Sequence, residues 1–96
     1  MSFSDQCRHL DFRPEQVFRG KRLANHVIQV HDPLMTDFCN GLCYMEQNCA
    51  SYNLMKRSKL EGHRCELNNA TLEGNENDME ENADYIYRGA KVTLLP

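Results

Sequence analysis

The sequence has no tryptophan, and no apolar run approaches the roughly 18 residues that a membrane-spanning helix needs. Its first ten residues, MSFSDQCRHL, lack the apolar core of a secretory signal peptide. Basic residues are outnumbered by acidic ones, 11 to 14, which argues against nucleic acid as a partner because nucleic-acid-binding domains are usually basic. What is present is a chain of 96 residues, of which 41% are apolar. A domain this small buries only about 60–65% of its unfolded surface, so its five cysteines are candidates for covalent cross-links.

The missing leader leaves two interpretations open. Taken literally, it indicates a cytosolic protein. Alternatively, residues 1–96 are one domain taken from a longer, multidomain extracellular protein, and Met1 marks only where expression begins. We favour the second interpretation because of the cysteine pattern described below.

The first half of the chain predicts two strands and a helix. The runs VFR (17–19) and LANHVIQV (23–30) are rich in β-forming residues, and Gly20, Lys21 and Arg22 between them indicate a turn. Thr36 or Asp37 can cap a helix by accepting backbone amide hydrogens. The residues that follow recur at helical spacing and form one apolar stripe. The stripe consists of Phe38, Leu42 and Met45, with Cys39 and Cys43 along the same side.

The second half predicts three more strands. CASYNLMK (49–56) alternates apolar and polar residues, RSKLEGH (57–63) is typical of a hairpin loop, and RCELNN (64–69) is the returning strand. The segment 72–84 is polar, carries six acidic residues and is predicted to be a long loop. A last strand is expected around residues 85–88. The fold class is therefore α+β, with about five short strands and one helix in a single domain.

Four cysteines, at positions 39, 43, 49 and 65, are separated by three, five and fifteen residues. A four-thiolate zinc site, with His63 as a substitute ligand, would normally use Cys-x2-Cys pairs, and no such pair occurs. A nucleophilic cysteine needs a base nearby, and the four histidines stand in no recognisable cysteine-enzyme signature. Disulfides suit the cluster best, and we expect no catalysis. Four cysteines can pair in several ways, so the spacing alone does not fix the connectivity.

The order of segments resembles the PAN/apple domain family. The likeness consists of a strand containing LANHVI, a helix with Cys-x3-Cys, a Cys-x5-Cys that leads into SYNL, and a hairpin that returns as CELN. It covers about residues 12–88. The resemblance implies an extracellular module with a small curved antiparallel sheet and one helix held against it by disulfides. By position, it implies the pairs Cys39–Cys65 and Cys43–Cys49.

Cys7 departs from the family pattern. Six-cysteine apple domains join their first cysteine to one near the C-terminus, whereas no cysteine follows Cys65 here. Three states of Cys7 therefore stay open: a free thiol, a disulfide to a residue outside this chain, or a link between two chains.

Two basic clusters are candidate surfaces for a ligand. If the partner is a sulfated glycosaminoglycan, the expected contacts lie on the predicted hairpin. They are Lys56, Arg57, Lys59 and Arg64. The second cluster consists of Arg19, Lys21 and Arg22. The simpler interpretation is that both are solvated turns, and a net charge of −3 opposes the attraction of polyanions from a distance.

The remaining motifs are local. Asn69-Ala70-Thr71 is an N-glycosylation sequon at the predicted end of a strand, so we expect Asn69 to be accessible. The acidic run 73–84 lacks the spacing of an EF-hand loop and is expected to be solvated. His26 and His31 are expected on opposite faces of one strand and form a poor metal pair. Tyr85 and Tyr87 should share a face of the sheet.

These observations favour a non-catalytic extracellular adhesion or interaction module that binds a protein or a carbohydrate. It would be secreted, or part of the ectodomain of a membrane protein, and glycosylated at Asn69. We expect no cofactor, no metal, no nucleic-acid partner and no membrane span in this chain. The alternative is an intracellular structural domain that is stabilised by zinc at the cysteine cluster.

Overall fold

A computed structural model describes residues 8–33, 35, 38–56 and 63–94. These residues form five strands, one α-helix and a short 3-10 turn at Glu76–Asp78. The strands are β1 (Arg8–Leu23), β2 (Val27–His31), β3 (Ser51–Lys56), β4 (His63–Asn68) and β5 (Met79–Leu94). The helix is α1 (Phe38–Met45).

The five strands form one sheet in the order β1-β5-β3-β4-β2, and every neighbouring pair is antiparallel. The predicted strand count and the single helix are confirmed, as are the strands before and after residues 57–62. The sheet is larger than the predicted small one, because β1 and β5 each have 16 residues. Both were predicted to be short. β1 and β5 pair with each other although they are far apart in the sequence, so local sequence patterns reveal only parts of these two strands.

One face of the sheet packs against α1. Successive strand residues alternate between faces, so Tyr52 and Leu54 of β3 lie beside Leu67 and Cys65 of β4 on the helix side. All four are buried. Two disulfides join this layer to the helix region. They are Cys39–Cys65, between α1 and β4, and Cys43–Cys49, between α1 and the segment before β3, and this is the pairing that the family resemblance implies.

Only part of the predicted apolar stripe of α1 is buried. Cys39 and Cys43 are fully buried and Leu42 is partly buried, whereas 54% of Phe38 and 81% of Met45 is exposed. The disulfides turn the cysteine side of the helix toward the sheet, because a disulfide holds its two Cα atoms between about 4.4 and 6.8 Å apart. The apolar residues at the two ends of the stripe consequently face solvent.

Arg8, at the start of β1, closes the C-terminal end of α1. Its buried guanidinium donates hydrogen bonds to the carbonyl oxygens of Cys43 (2.8 Å), Tyr44 (3.1 Å), Glu46 and Cys49. The last carbonyls of a helix have no partner within the helix, and a cation there also matches the negative end of the helix dipole. Burial lowers the pKa of Arg8 from its usual value.

The other face of the sheet carries a buried polar network. Asn53 in the middle of β3 accepts a hydrogen bond from Leu23 N (2.8 Å) and donates to Leu23 O (2.9 Å) and to Glu66 (3.2 Å). Glu66 also accepts from Arg22 and from the Tyr85 hydroxyl. Because side chains stand perpendicular to a sheet, these contacts show that the end of β1 bends over this face and covers it.

Gly20 lies in a bulge and does not form the predicted turn. The register of β1 against β5 shifts between Arg19 and Lys21, and Gly20 has a φ of 74°. β1 continues to Leu23, and the change of direction occurs at Asn25, whose φ is 70°. A glycine with positive φ suits a turn and a bulge equally well, so the partner strand decides between them.

The predicted 72–84 loop is only partly a loop. Its last six residues, 79–84, belong to β5, and Met79, Glu80 and Glu81 pair with the end of β1. Lys21 and Arg22 form ion pairs with Glu81 and Glu80, so the acidic segment has a cross-strand partner that local sequence does not reveal.

Candidate functional site

A cleft of about 490 Å³ opens on the helix side of the sheet, between β1, β5 and α1. Its volume lies within the range of about 300–1,000 Å³ that is typical of ligand pockets. We call it the arginine cleft because three arginines line it. Its principal lining residues are Phe12, Arg13, Val17, Arg19, Asn40 and Arg88.

The cleft exists because β1 bulges away from β5. Phe12 pairs with Ala90 and Val17 with Arg88, so four residues of β1 lie opposite Gly89 alone. Pro14 lies among them, and a proline suits a bulge because it has no amide hydrogen to donate to a ladder. Gly89 is required for space on the other face, where an added Cβ would lie 2.8 Å from the Tyr87 hydroxyl oxygen.

A chain of hydrogen bonds positions the polar groups on one side of the cleft. Arg88 donates to the Tyr52 hydroxyl (3.1 Å), which in turn donates to Asn40 Oδ1 (2.5 Å). Tyr52 is fully buried, and its ring centroid lies 5.4 Å from that of Phe12. The core residue Tyr52 therefore connects β5 to α1 and fixes the side chains that face the cleft.

The charge in the cleft is unevenly compensated. Arg13 bonds Asp11 at 2.6 Å and lies 4.0 Å from Glu15, and the bond to Asp11 raises the pKa of Arg13. Arg19 is exposed and has no ion-pair partner among the residues that the structure describes, and Arg88 bonds only the neutral Tyr52 hydroxyl there. No described residue that lines the cleft is acidic. The cleft therefore presents uncompensated positive charge in a chain whose net charge is −3.

The predicted basic hairpin is only partly described. Arg57 and Lys59 lie outside the described residues, and Lys56 is described only as the last residue of β3. Arg64 in β4 is 3.3 Å from Asp32, so an acidic neighbour partly offsets its charge. The proposed glycan contacts at this tip stay a prediction.

The second predicted basic cluster is divided by the structure. Arg19 lines the arginine cleft, whereas Lys21 bonds Glu81 at 2.6 Å and Arg22 bonds Glu66 at 2.7 Å. Arg22 also lies over the ring of Tyr85, at 5.4 Å from its centroid. These residues do not form a hairpin tip, since β1 runs through them without reversing.

The cysteines and acidic residues contribute to structure in this fold. All four described cysteines are in disulfides, so none of them offers a thiolate to zinc. Within the described ranges, no group of three or more His, Cys, Asp or Glu residues is arranged to hold a metal ion. His26 bonds Asp78 (2.8 Å), and His31 bonds Gln29 (3.0 Å). Cys7 lies outside the described residues.

Asn69 is exposed directly after β4, as the sequon prediction requires. It lines a second cavity, of about 550 Å³, beside the same bulge of β1. Tyr85 and Tyr87 share the face of the sheet opposite α1, and both are buried. Glycosylation itself stays a prediction.

Comparisons with protein-family models, curated proteins and solved structures found no match to this chain. The PAN/apple assignment therefore stays a prediction that rests on the cysteine spacing and the SYNL and CELN segments. No helix among the described residues is long and apolar enough to cross a membrane.

No pattern in the sequence predicts the arginine cleft. Arg13, Arg19 and Arg88 lie on two strands that are far apart in the chain, and Asn40 comes from the helix between them. No local motif links these residues. The only signal in the sequence is the basic cluster of Arg19, Lys21 and Arg22, of which the structure brings only Arg19 to the cleft.

Proposed function

We propose that this chain is a non-catalytic extracellular interaction module and that it binds its partner, a protein or a glycan, through the arginine cleft. One observation carries the proposal: Arg19 and Arg88 line a single cleft without an acidic partner among the described residues, although the chain as a whole is negatively charged. Uncompensated charge on a fixed framework costs stability, and it is most useful where it meets an anionic group of a ligand.

The groups in the cleft suit binding better than catalysis. Guanidinium groups stay protonated at physiological pH and hold anions through several hydrogen bonds, but they do not exchange protons readily. An asparagine amide donates and accepts hydrogen bonds without changing its charge. The cleft can therefore orient a ligand, and we assign it no reaction.

Two disulfides in the structure support an extracellular location. Such bonds persist in oxidising environments and are rare in the cytosol, where thiols are kept reduced. Both disulfides are fully buried and hold α1 against β3 and β4, so they form part of the folded core.

The test is the binding of a multimeric, fluorescent form of the oxidised chain to intact animal cells. Multimers raise the avidity enough to detect weak single contacts. We expect staining by the wild-type chain, and its loss in the variant Arg19→Gln/Arg88→Gln. Lys21→Gln is the matched control, because Lys21 lies on the same strand as Arg19 but bonds Glu81 outside the cleft.

Equal staining by the wild-type chain and the double variant would refute the cleft as the binding site. The absence of staining on every cell type tested would refute the proposal of a cell-surface interaction module.

A further inference from the structure

We infer that the arginine cleft holds a sugar that carries one carboxylate, such as a hexuronic or sialic acid residue of a glycan. This inference rests on the proposed function and names its ligand. The carboxylate would be bound by Arg19 and Arg88, with the sugar ring against Phe12 and Val17 and a hydroxyl group at Asn40.

Arg19 and Arg88 are placed to hold one anionic group together. Val17 lies directly opposite Arg88, and Arg19 is two residues further along the same face of β1. Residues in this diagonal relation are about 7–8 Å apart, a distance that two long side chains can span. The planar guanidinium matches a carboxylate with two parallel hydrogen bonds, so the pair forms a specific receptor for a planar anion.

The surroundings favour a single carboxylate over an extended polyanion. Asp11 and Glu15 lie beside Arg13 at the rim of the cleft, at 2.6 and 4.0 Å from its guanidinium nitrogens. A sulfated chain that continued past the rim would approach these carboxylates, within the screening length of about 8 Å. A lone carboxylate between Arg19 and Arg88 avoids them.

The uncharged part of the cleft suits a sugar ring. Phe12 and Val17 provide an apolar surface for the C–H groups of a pyranose. Asn40 Oδ1 accepts a hydrogen bond from Tyr52, which orients the amide so that its N–H groups can donate to a ligand hydroxyl. Carbohydrates present this combination of apolar C–H groups and hydroxyls.

The adjacent edge of the sheet is poorly suited to a peptide. β1 is an edge strand, to which an extended peptide could add. The register shifts between Phe12 and Val17 and between Arg19 and Lys21 leave only the segment 17–19 regular beside the cleft. Bulges of this kind prevent strand addition, so we favour the sugar.

The inference is tested by NMR titration of the 15N-labelled, oxidised chain. The probes are methyl glucuronide and methyl sialoside, with methyl glucoside, acetate, a short aspartate-containing peptide and a heparin oligosaccharide as comparisons. We expect saturable shifts at Val17, Arg19, Asn40 and Arg88 with one or both acidic sugars. Methyl glucoside and acetate should each bind at least about tenfold more weakly, since each lacks one half of the contacts.

Two variants and a control locate the contact. Arg19→Gln should weaken binding of the acidic sugar about tenfold or more, and because Arg19 is exposed, its loss leaves the fold intact. Arg88→Gln should have a similar effect, with the folded state verified from the same spectra. Lys21→Gln should bind like the wild type.

The outcomes separate this inference from the proposed function. Equal or tighter binding of the aspartate peptide at the same residues would overturn the sugar but leave the cleft as a binding site. Tighter binding of the heparin oligosaccharide through the cleft would overturn the preference for one carboxylate. If no probe shifts the cleft residues while Arg19→Gln/Arg88→Gln still abolishes cell staining, the ligand class is wrong and the proposed function stands. If staining also survives the double variant, both are refuted.

Discussion

Arg8 connects three parts of the molecule through one side chain. It lies at the start of β1, yet its hydrogen-bond partners are carbonyls at the end of α1 and at Cys49, at the end of the loop that the Cys43–Cys49 disulfide closes. Only an arginine has both the length and the number of donors in one plane to serve so many acceptors. Lysine, with the same charge, cannot reproduce this geometry.

Replacing Arg8 by methionine should lower the free energy of unfolding by about 3 kcal/mol, because buried carbonyls would lose a charged donor. Urea unfolding with the disulfides intact measures this loss. Hydrogen exchange at Glu46, whose amide bonds Leu42 O, should show that the end of α1 opens first. Lys21→Met is the control, and a loss as large in this solvent-exposed ion pair would contradict the role assigned to Arg8.

Asn53 of β3 contacts the end of β1 on the face of the sheet opposite α1. Its amide meets both the N–H and the C=O of Leu23, as a neighbouring strand would. It also donates to Glu66, which is almost fully buried. Because the buried Asn53 amide forms hydrogen bonds with both backbone groups of Leu23, it fixes the position at which the end of β1 crosses the sheet.

Asn53→Asp should destabilise the fold by about 3 kcal/mol at neutral pH, because a carboxylate would face Leu23 O and Glu66 in place of a donor. Acidification should recover part of this loss, since a protonated aspartic acid can donate again. Chemical unfolding at several pH values measures both effects. Asn77→Asp, at an exposed position in the 3-10 turn, is the control. A pH-independent loss would show that carboxylate charge is not the cause.

At the scale of secondary-structure elements, the sequence predicts the strands and the helix whose residues show a local pattern of spacing or alternation. The sequence predicts β3 and β4 because apolar and polar residues alternate along β3 and because the composition of residues 57–63 is typical of a hairpin loop. The spacing predicts the helix and places Cys39, Cys43 and Leu42 on its buried side, but it does not predict that Phe38 and Met45 at the two ends are exposed. Gly20 and the acidic segment were misassigned because their partner strands are distant in sequence. The arginine cleft could not be predicted, since it forms only when β1 bulges from β5.

The two disulfides should differ in their contribution to stability. They close loops with sequence separations of 26 and 6 residues. The chain-entropy argument assigns about 3.6 kcal/mol to Cys39–Cys65 and about 2.4 kcal/mol to Cys43–Cys49. Cys39→Ala/Cys65→Ala should therefore unfold at lower urea than Cys43→Ala/Cys49→Ala, a matched comparison because all four cysteines are fully buried. Equal midpoints for the two variants would contradict the entropic explanation.

At the scale of the whole molecule, the face of the sheet opposite α1 should make the stability of the fold depend on pH. The helix side is held by disulfides and apolar contacts, whereas the opposite face combines the Asn53–Glu66 network with the buried Tyr85 and Tyr87. Burial raises the pKa of both phenols above their usual value near 10. The folded state therefore keeps these protons at a pH at which the unfolded chain has begun to lose them.

Stability should consequently fall as pH rises above about 10, where the unfolded tyrosines ionise first. Below that pH the contribution of both phenols is fully present. Urea unfolding between about pH 8 and about pH 11, with any free thiol alkylated, measures the decline. Tyr85→Phe and Tyr87→Phe should each make it shallower, whereas Tyr44→Phe, at an exposed position, should not. Unchanged steepness in the two buried variants would refute the assignment.

The pairing of Arg8 with Leu94 determines how the fold would respond to mechanical force. These residues lie opposite each other at one end of the β1–β5 ladder. Tension that pulls them apart acts along the inter-strand hydrogen bonds, which run perpendicular to antiparallel strands, so the bonds break one after another. The ladder would peel open from that end at low load. The chain between Cys39 and Cys65 is closed by a covalent bond and cannot be extended, so α1 and β3 would not be stretched while β1 and β5 release their length.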